Sequence, residues 1–257
     1  MKRILLVFVL PLLGLGQEPL IRVRHFVPQL VDGAGWQTTV TLINGQDGPA
    51  AGILRFFDSA GMPLMIPVKV GALVQNVESI GLVARGKGIA VVETLGESSQ
   101  LKQGYATFTY EDTPGAGRSL LVNFRQRVPA RPDYEASTTA VPGGTAKHGM
   151  AFDNTSGFST SIAIVNTDAI VGDYLIAFYD ESGTRIATNV IGLNSLNHSA
   201  VSLPVRFPET AGRRGFFEVS RIPPSAGAEP RRFHAVLIAL RFNPTGPFSI
   251  VPVMELQ

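Results

Sequence analysis

The sequence predicts an all-β protein made of two tandem antiparallel β-sandwich domains that follow an N-terminal signal peptide. The first observation is an internal repeat. Residues 35–44 and 56–61 both recur without a gap 122 positions later, at 157–166 and 178–183. The second is composition, because 27 glycines and 18 prolines, with only 16% charged residues, suit short strands joined by tight turns. Two separate segments repeated at one offset indicate a single module used twice.

The N-terminus has the pattern of a secretory signal. Two basic residues at positions 2 and 3 precede an apolar run over residues 4–13, and Gly14 and Gly16 are small residues before a cut at Gln17. A membrane anchor is the alternative, but the run is too short to span a bilayer comfortably. We therefore expect a signal peptide over residues 1–16, a first domain over 17–142 and a second over 143–257. The expected location is outside the cytoplasm: extracellular, cell-surface or periplasmic.

Charge and cysteine content exclude several classes of function. The full chain carries 22 basic and 20 acidic residues. Loss of Lys2 and Arg3 with the signal leaves the mature chain formally neutral, so its basicity does not indicate nucleic-acid binding. No later apolar run reaches membrane-spanning length. The chain has no cysteine, which excludes a lipoprotein anchor, a thiolate metal site and a cysteine nucleophile.

The first strands of the first module are predicted from alternation and turn residues. Residues 21–27 form the first strand, a glycine-rich turn follows at 32–35, and residues 36–44 alternate between a Trp, Thr, Val and Leu face and a Gln, Thr and Ile face. Residues 52–57 then enter a turn that Asp58 opens and Gly61 closes. Aspartate accepts a nearby backbone N–H, and glycine tolerates positive φ, as a hairpin with a G1 bulge requires.

The remaining predicted strands follow the same reasoning. Residues 62–68 pair back after the turn, and residues 85–88 form a basic turn between two further strands. A Pro/Arg-rich loop precedes the last strand, and residues 142–145 form the linker. The other first-module strands are 73–80, 89–95, 104–110, 119–127 and 136–141.

The second module repeats this order, with a helical turn near residues 208–211. Its Gly215 matches Gly104 at an offset of 111, so we expect it to have lost 11 residues near the strand at 89–95. About seven or eight short strands per module predict a sandwich, and a barrel is the alternative. The predicted strands are 148–152, 158–166, 173–180, 184–191, 198–203, 215–221, 233–242 and 248–253.

No chemical motif is complete. Residues 81–88 approach a phosphate-binding loop, but glycine stands where Ser or Thr would bind magnesium, and a strand follows instead of a helix. None of the four histidines, His25, His148, His198 and His234, has a second histidine at metal-ligand spacing or at the matching position of the other copy. Calcium at the acids of the loops after residues 31 and 152 is a weaker alternative to capping. We therefore predict no catalytic residue, metal or cofactor.

Four residues are candidates for ligand binding. In each aromatic doublet, neighbouring rings face opposite sides, so one of Phe56 and Phe57, and one of Phe178 and Tyr179, is expected to point away from its core, and Phe57 and Tyr179 are taken as the candidates. They would pack between modules or stack on sugar rings. Arg125 and Arg241 match each other on the penultimate strand, where a rim arginine paired with a turn carboxylate is the favoured interpretation.

The pairing of Phe-Val-Pro-x-x-x-Asp-Gly-x-Gly-Trp-x-Thr, continued to Asn44, with Phe-Phe-Asp-x-x-Gly at residues 56–61 resembles tandem modules of uncharacterised secreted proteins from environmental bacteria. The second copy, with Phe-Tyr-Asp-x-x-Gly and Ala-Leu-Arg-Phe at residues 239–242, resembles the partner module. The resemblance covers nearly all of the mature chain. It implies two immunoglobulin-like extracellular sandwiches without catalytic residues.

These observations favour a secreted, non-enzymatic binding, adhesion or surface-structural protein. The first alternative is an extracellular carbohydrate-binding protein, suggested by the repeated aromatic doublets. A secreted hydrolase is less favoured because no site constellation is visible. Expected partners are an extracellular polysaccharide or another surface protein.

Overall fold

The computed structural model describes residues 21–112, 117–142, 147–223 and 235–256. Within these ranges the regular secondary structure is almost entirely antiparallel β-sheet, and the all-β prediction is confirmed. The predicted signal peptide, the linker residues 143–145 and His234 lie outside the described residues. We call residues 21–142 the first module and residues 147–256 the second module.

The first module forms two sheets. Sheet A has the order β11-β1-β8-β3-β6 and sheet B the order β10-β9-β2-β7-β4-β5. The strands are β1 (Ile21–Asp32), β2 (Trp36–Asn44), β3 (Ala50–Asp58), β4 (Ile66–Val70), β5 (Leu73–Val77), β6 (Ser79–Ala84), β7 (Ile89–Thr94), β8 (Lys102–Asp112), β9 (Arg118–Gln126), β10 (Tyr134–Thr139) and β11 (Val141–Pro142).

The second module forms sheet C, in the order β15-β14-β17-β12-β20, and sheet D, in the order β16-β13-β18-β19. A short helix and a 3-10 turn join β16 to β17, where the sequence predicted only one helical turn. The elements are β12 (Lys147–Asp153), β13 (Ser159–Asn166), β14 (Gly172–Asp180), β15 (Arg185–Leu193), β16 (His198–Ser202), α1 (Leu203–Arg206), η1 (Pro208–Thr210), β17 (Arg214–Arg221), β18 (Ala235–Phe242), β19 (Phe248–Val251) and β20 (Met254–Glu255).

Each pair of sheets encloses an apolar cluster, as in a sandwich. Sheets A and B bury Leu54, Phe56 and Phe108 against Val40 and Phe124. Sheets C and D enclose a second cluster, to which α1 and the following turn add Leu203 and Phe207; its large members include Phe152, Ile164, Tyr174, Phe178 and Phe217. No strand of one module belongs to a sheet of the other within the described residues.

Matching buried polar side chains stabilise each of the two modules in the same way. Thr38 Oγ1 bonds both the N–H and the C=O of Val31, and Thr160 Oγ1 bonds both backbone groups of Asp153. Asn44 donates to three backbone carbonyls of two loops, and so does Asn166. These bonds explain why the repeated segments share threonine and asparagine: the threonines bond backbone groups near the end of the preceding strand, and the asparagines satisfy carbonyls in and beside loops.

The repeated turn has the predicted chemistry. Asp58 Oδ1 accepts the backbone N–H groups of Ala60 and Met62, and Asp180 Oδ1 accepts those of Ser182 and Thr184. The closing glycines have φ of +77° at Gly61 and +81° at Gly183. After this turn the modules diverge. In the second module β15 pairs with β14 directly, whereas in the first module β4 and β5 join sheet B before β6 returns to β3.

This divergence corrects the predicted position of the lost residues. β7 has a counterpart in β16, because β7 pairs with β2 as β16 pairs with β13. The elements without a counterpart are β4 and β5, which lie before the strand at residues 89–95. The apolar alternation of β4 does not reveal which sheet it joins, so sequence matching placed the gap too late.

Candidate binding surfaces

The two modules meet at a largely apolar junction. Phe26 and Tyr105, from the outer face of sheet A, pack against Val165 and Val236 of sheet D, with Phe57 at the edge of this cluster. Beside it, Ala163, Ile238 and Phe248 of the second module join the core cluster of the first. Sheet D is therefore covered on both faces, by sheet C on one side and by the first module on the other.

His198 is the polar centre of this junction. Its backbone N–H donates to the carbonyl of Ser59 at 3.0 Å. Its ring lies 3.1 Å from Ser59 Oγ through Nδ1 and 2.9 Å from Gln29 Oε1 through Nε2. The Tyr105 ring stacks on the imidazole with a centroid distance of 6.4 Å. Three first-module residues thus fix one side chain of the second module.

Burial lowers the pKa of His198 to about 4. A neutral imidazole with its proton on Nε2 satisfies both neighbours, because Nε2–H donates to the Gln29 carbonyl and Nδ1 accepts the Ser59 hydroxyl. A base with such a low pKa removes protons poorly at neutral pH. The third group is an amide rather than a carboxylate, so the Ser59–His198 pair has the chemistry of a structural contact.

The structure places Phe57 in the junction. Its ring stacks on Tyr105 with centroids 5.0 Å apart and an interplanar angle of 16°. Of the two roles that the sequence left open for the outward rings, Phe57 has the packing role. Sequence reasoning missed Tyr105 as its partner, although Gly104 and Gly215 were already matched and the next residue in each copy is aromatic.

Tyr179 lies on the outer face of sheet C, half-buried. Phe216 is its neighbour at a centroid distance of 6.4 Å and an interplanar angle of 38°. The Arg185 guanidinium lies 5.6 Å from the centre of the Tyr179 ring, and Glu218 accepts from the Tyr179 hydroxyl at 3.4 Å. This face therefore offers two tilted rings with charged groups around them.

The two candidate arginines occupy different positions. Arg125 lies opposite Gln37 on the neighbouring strand, and Arg241 lies opposite Thr160. Thr160 matches Thr38 in the repeat and not Gln37. The two arginines are therefore one residue apart in strand register, although the sequence comparison matched them. Arg125 bonds Glu135 at 2.5 Å, and this hydrogen bond raises the pKa of the guanidinium. Arg241 takes part in a different contact, in the second module.

Arg241 covers an aromatic ring at the end of the second module. Its guanidinium carbon lies 4.1 Å from the centre of the Phe158 ring, and Nη2 lies 3.1 Å from Asp153 Oδ2. Burial opposes ionisation of Asp153, but hydrogen bonds from Thr155 and the charge of Arg241 outweigh it and lower the pKa. Both candidate arginines are thus held by carboxylates, which supports the rim interpretation.

An open cleft of about 210 Å³ lies between the modules. Its walls are mostly apolar and aromatic. They come from both modules and include Trp36, Phe124, Ile238 and Phe242, with Gln103 and Ser161 as polar members. Trp36 also contacts Phe248 of the second module at a ring distance of 5.0 Å. The cleft is therefore a concave apolar surface to which both modules contribute.

The structure corrects the expectation that no histidine has a histidine at the matching position of the other module. β1 has a bulge between Val27 and Leu30, so His25 pairs with Phe108 and His148 with Val219. Phe108 lies four residues after Gly104, and Val219 lies four residues after the matching Gly215. His25 and His148 therefore do occupy matching positions, and burial lowers the pKa of both. The bulge inserts one residue, which hides the match from a gap-free comparison.

The described residues were compared with the requirements of a metal site and of a membrane-spanning helix. No group of three or more His, Asp or Glu side chains there is close enough to hold a metal ion. Asp32, one of the loop acids considered for calcium, is buried and accepts the Gly96 N–H at 2.6 Å. Among the described residues, no helix has the length and hydropathy needed to cross a bilayer.

Comparison of the chain with protein-family models, with curated proteins and with solved structures finds no match.

Proposed function

We propose that the chain is an exported, non-enzymatic binding, adhesion or surface-structural protein, made from two copies of one immunoglobulin-like sandwich. One observation carries the proposal. Three pairs of matching polar side chains in the repeated segments, Thr38 and Thr160, Asn44 and Asn166, and Asp58 and Asp180, bond backbone groups at strand ends, turns and loops. These three repeated positions thus stabilise the fold, and the surfaces left for function are sheet faces and the junction cleft.

Turnover is the first test. The compact polar cluster that most resembles a nucleophile and base is Ser59 with His198, 3.1 Å apart. We expect no turnover by the purified protein on a panel of ester, glycoside and peptide substrates. Activity that disappears in Ser59→Ala, while the folded state is retained, would replace the proposal with a secreted hydrolase.

Export has its own test. The basic start, the apolar run and the small residues before Gln17 support it. We expect protein recovered from the periplasm, cell surface or medium of a bacterial host to begin at Gln17. Intact Met1 on protein retained in the cytoplasm would contradict export.

Polysaccharide binding is the second candidate, favoured by the half-buried Tyr179 ring beside Phe216. We expect a Tyr179→Ala variant to lose retention on polysaccharide gels if this face stacks on sugars, by about tenfold or more for one stacking ring. Val190→Ala removes an exposed aliphatic side chain from the neighbouring strand β15 and is the matched control. Equal retention of both variants would remove this candidate. Phe57→Ala is unsuitable, because that ring belongs to the junction.

A further inference from the structure

The junction is formed by two surfaces that each occur a second time. On the first module, one side of the contact is the turn at residues 58–61 with Phe57 and Tyr105, and we call it the donor surface. On the second module, the other side is the turn at residues 194–197 with His198 and Val165, and we call it the receiving surface. The two names refer to the sides of the contact and not to the direction of a hydrogen bond. The backbone bond from His198 to Ser59 joins them, and a Cβ on Gly61 would lie only 2.7 Å from the Leu196 carbonyl oxygen.

The second module carries a free copy of the donor surface. Tyr179 pairs with Phe216 in sheet C as Phe57 pairs with Tyr105 in sheet A. The turn at residues 180–183 has the same aspartate bonds and the same positive-φ glycine as the turn at 58–61. A Cβ on Gly183 would meet no described atom within 4 Å. We call Tyr179, Phe216 and the turn at 180–183 the second donor surface.

The first module carries a free copy of the receiving surface. The turn at residues 85–88 repeats the bonds of the turn at 194–197, since Gly88 N–H donates to Arg85 as Asn197 N–H donates to Asn194. Lys87 and Leu196 have φ of +55° and +59° at the same position of the two turns.

The strand register completes this match. Ile43 pairs with Ile89 as Val165 pairs with His198. Val165 is fully buried in the junction, whereas Ile43 is 39% and Ile89 is 62% exposed. We call Ile43, Ile89 and the turn at 85–88 the second receiving surface.

The two free surfaces also have complementary charges. Glu181 occupies the position of Ser59 in the second donor surface, and Arg85 and Lys87 belong to the second receiving surface. Glu181 now pairs with Arg214 and Lys87 with Asp47, with all four side chains largely exposed. Exposed ion pairs contribute little free energy, so these side chains can exchange partners at low cost.

We propose that chains associate head to tail, with the second donor surface of one copy on the second receiving surface of another. The contact repeats the junction that already joins the modules within one chain. It joins two different surfaces, so each added copy leaves one free surface of each kind, and association continues into a linear array unless a ring closes. The proposal rests on the proposed function, because it names the partner of a surface-structural protein as a second copy.

The contact between copies is smaller than the junction. In the junction Trp36 also packs against Phe242 and Phe248. In the second module the matching ring, Phe158, is already covered by Arg241. We therefore expect association in the micromolar range or weaker, as for small interfaces.

Sedimentation velocity over a concentration series tests the proposal with two single variants. Ile89→Asp blocks the second receiving surface, and Tyr179→Asp blocks the second donor surface. The unmodified protein should form oligomers whose mean mass rises with concentration, and each variant alone should lose this association by about tenfold or more. Val205→Asp changes a side chain that is 80% exposed on neither surface and should associate normally.

Mixing the two variants distinguishes this contact from other modes. Each variant keeps one intact surface, so an equimolar mixture should form a one-to-one dimer and nothing larger. Crosslinking is an independent readout, because the chain has no cysteine. Oxidised Glu181→Cys/Ile89→Cys protein should give a ladder of linked chains, whereas Ser59→Cys/His198→Cys should link only within one chain.

A monomer at all concentrations, or oligomers that persist in both aspartate variants, would overturn the proposal. Failure of this proposal can be distinguished from failure of the proposed function. A monomer that still binds polysaccharide or cells and shows no turnover keeps the proposed function and loses the array. Turnover removed by Ser59→Ala would overturn the proposed function whatever the oligomeric state.

Discussion

At the scale of single residues, one buried asparagine in each module fixes the loops around it. Asn166 donates to the carbonyls of Ile170, Leu193 and Asn194, and its Oδ1 accepts from Asp168 N–H and Tyr174 OH. Asn44 makes the corresponding backbone bonds in the first module: it donates to three carbonyls, and its Oδ1 accepts from Gln46 N–H. The side chain therefore replaces several backbone partners at once, which no apolar residue of similar size can do.

We predict that Asn44→Ala and Asn166→Ala each lower the free energy of unfolding by about 2–4 kcal/mol, because the carbonyls they leave are buried without donors. Chemical denaturation measures the change. Asn123→Ala is the control, since Asn123 makes one exposed bond to Ser137 and should cost about 0.5 kcal/mol or less. Equal costs for Asn123→Ala and Asn166→Ala would show that the loops are not held in this way.

His198 makes the stability of the junction depend on pH. Its pKa is about 4 in the folded chain and about 6.5 when unfolded. Below pH 6.5 the imidazole takes up a proton in the unfolded chain but not in the folded chain, so the free energy of unfolding falls as pH decreases from about 6.5 to 4. The loss is about 3 kcal/mol at the lower end.

The measurement is the free energy of unfolding between pH 7 and pH 4, for the unmodified protein and for His198→Gln. Glutamine cannot titrate, so the variant should lose most of this decrease, while the contributions of His25 and His148 remain in both proteins. Identical pH profiles would place the acid sensitivity elsewhere.

Single residues also show what sequence can and cannot predict. The turn roles of Asp58 and Gly61 were predictable because local backbone chemistry dictates them. Alternation predicted that one of Phe56 and Phe57 points away from the core, but the place of Phe57 beside Tyr105 in the junction was not predictable, since it depends on how the two modules meet. The match of His25 with His148 was hidden because a one-residue bulge shifts the register.

At the scale of elements, the repeated hairpin turn meets different surroundings in the two modules. Gly61 and Gly183 have nearly the same φ, +77° and +81°. Only at Gly61 would a Cβ approach another loop, the carbonyl oxygen of Leu196 at 2.7 Å. One turn therefore serves as a contact within the chain, and its copy faces open space among the described residues.

We predict that Gly183→Ala costs about 1 kcal/mol of unfolding free energy, the usual cost of positive φ in an alanine. Gly61→Ala should cost about 1–2 kcal/mol more, because the junction must also shift to admit the methyl group. Chemical denaturation at low protein concentration measures both, below the range of association between copies. Equal costs would mean that the first turn does not press on the second module.

Strand positions were largely predictable, and sheet membership was not. Alternation placed β2 at residues 36–44 and most other strands within two residues of their bounds. The predicted strand at 73–80 instead divides into β5 in sheet B and β6 in sheet A. An apolar alternation requires one buried face, and either sheet of a sandwich provides it, so pattern alone cannot decide which sheet a strand joins.

At the scale of the whole molecule, the junction buries the outer face of sheet D. Val165 and Val236 are almost fully buried there, whereas the matching outer face of sheet B keeps Ile43 partly exposed. The two modules thus share apolar surface that a pair of independent domains would leave in water. Because each module loses contacts when the other unfolds, the junction couples their unfolding.

We predict a single calorimetric unfolding transition for the unmodified protein at low concentration. Val165→Asp should place a charge in the junction, lower the unfolding temperature and separate the transition into two, since a buried unpaired carboxylate is costly. Ile43→Asp is the matched control, because Ile43 has the corresponding position on the first module and is 39% exposed. It should leave one transition near the original temperature. Two transitions in the unmodified protein, or equal effects of the two variants, would mean that the modules unfold independently and that the junction does not stabilise either of them.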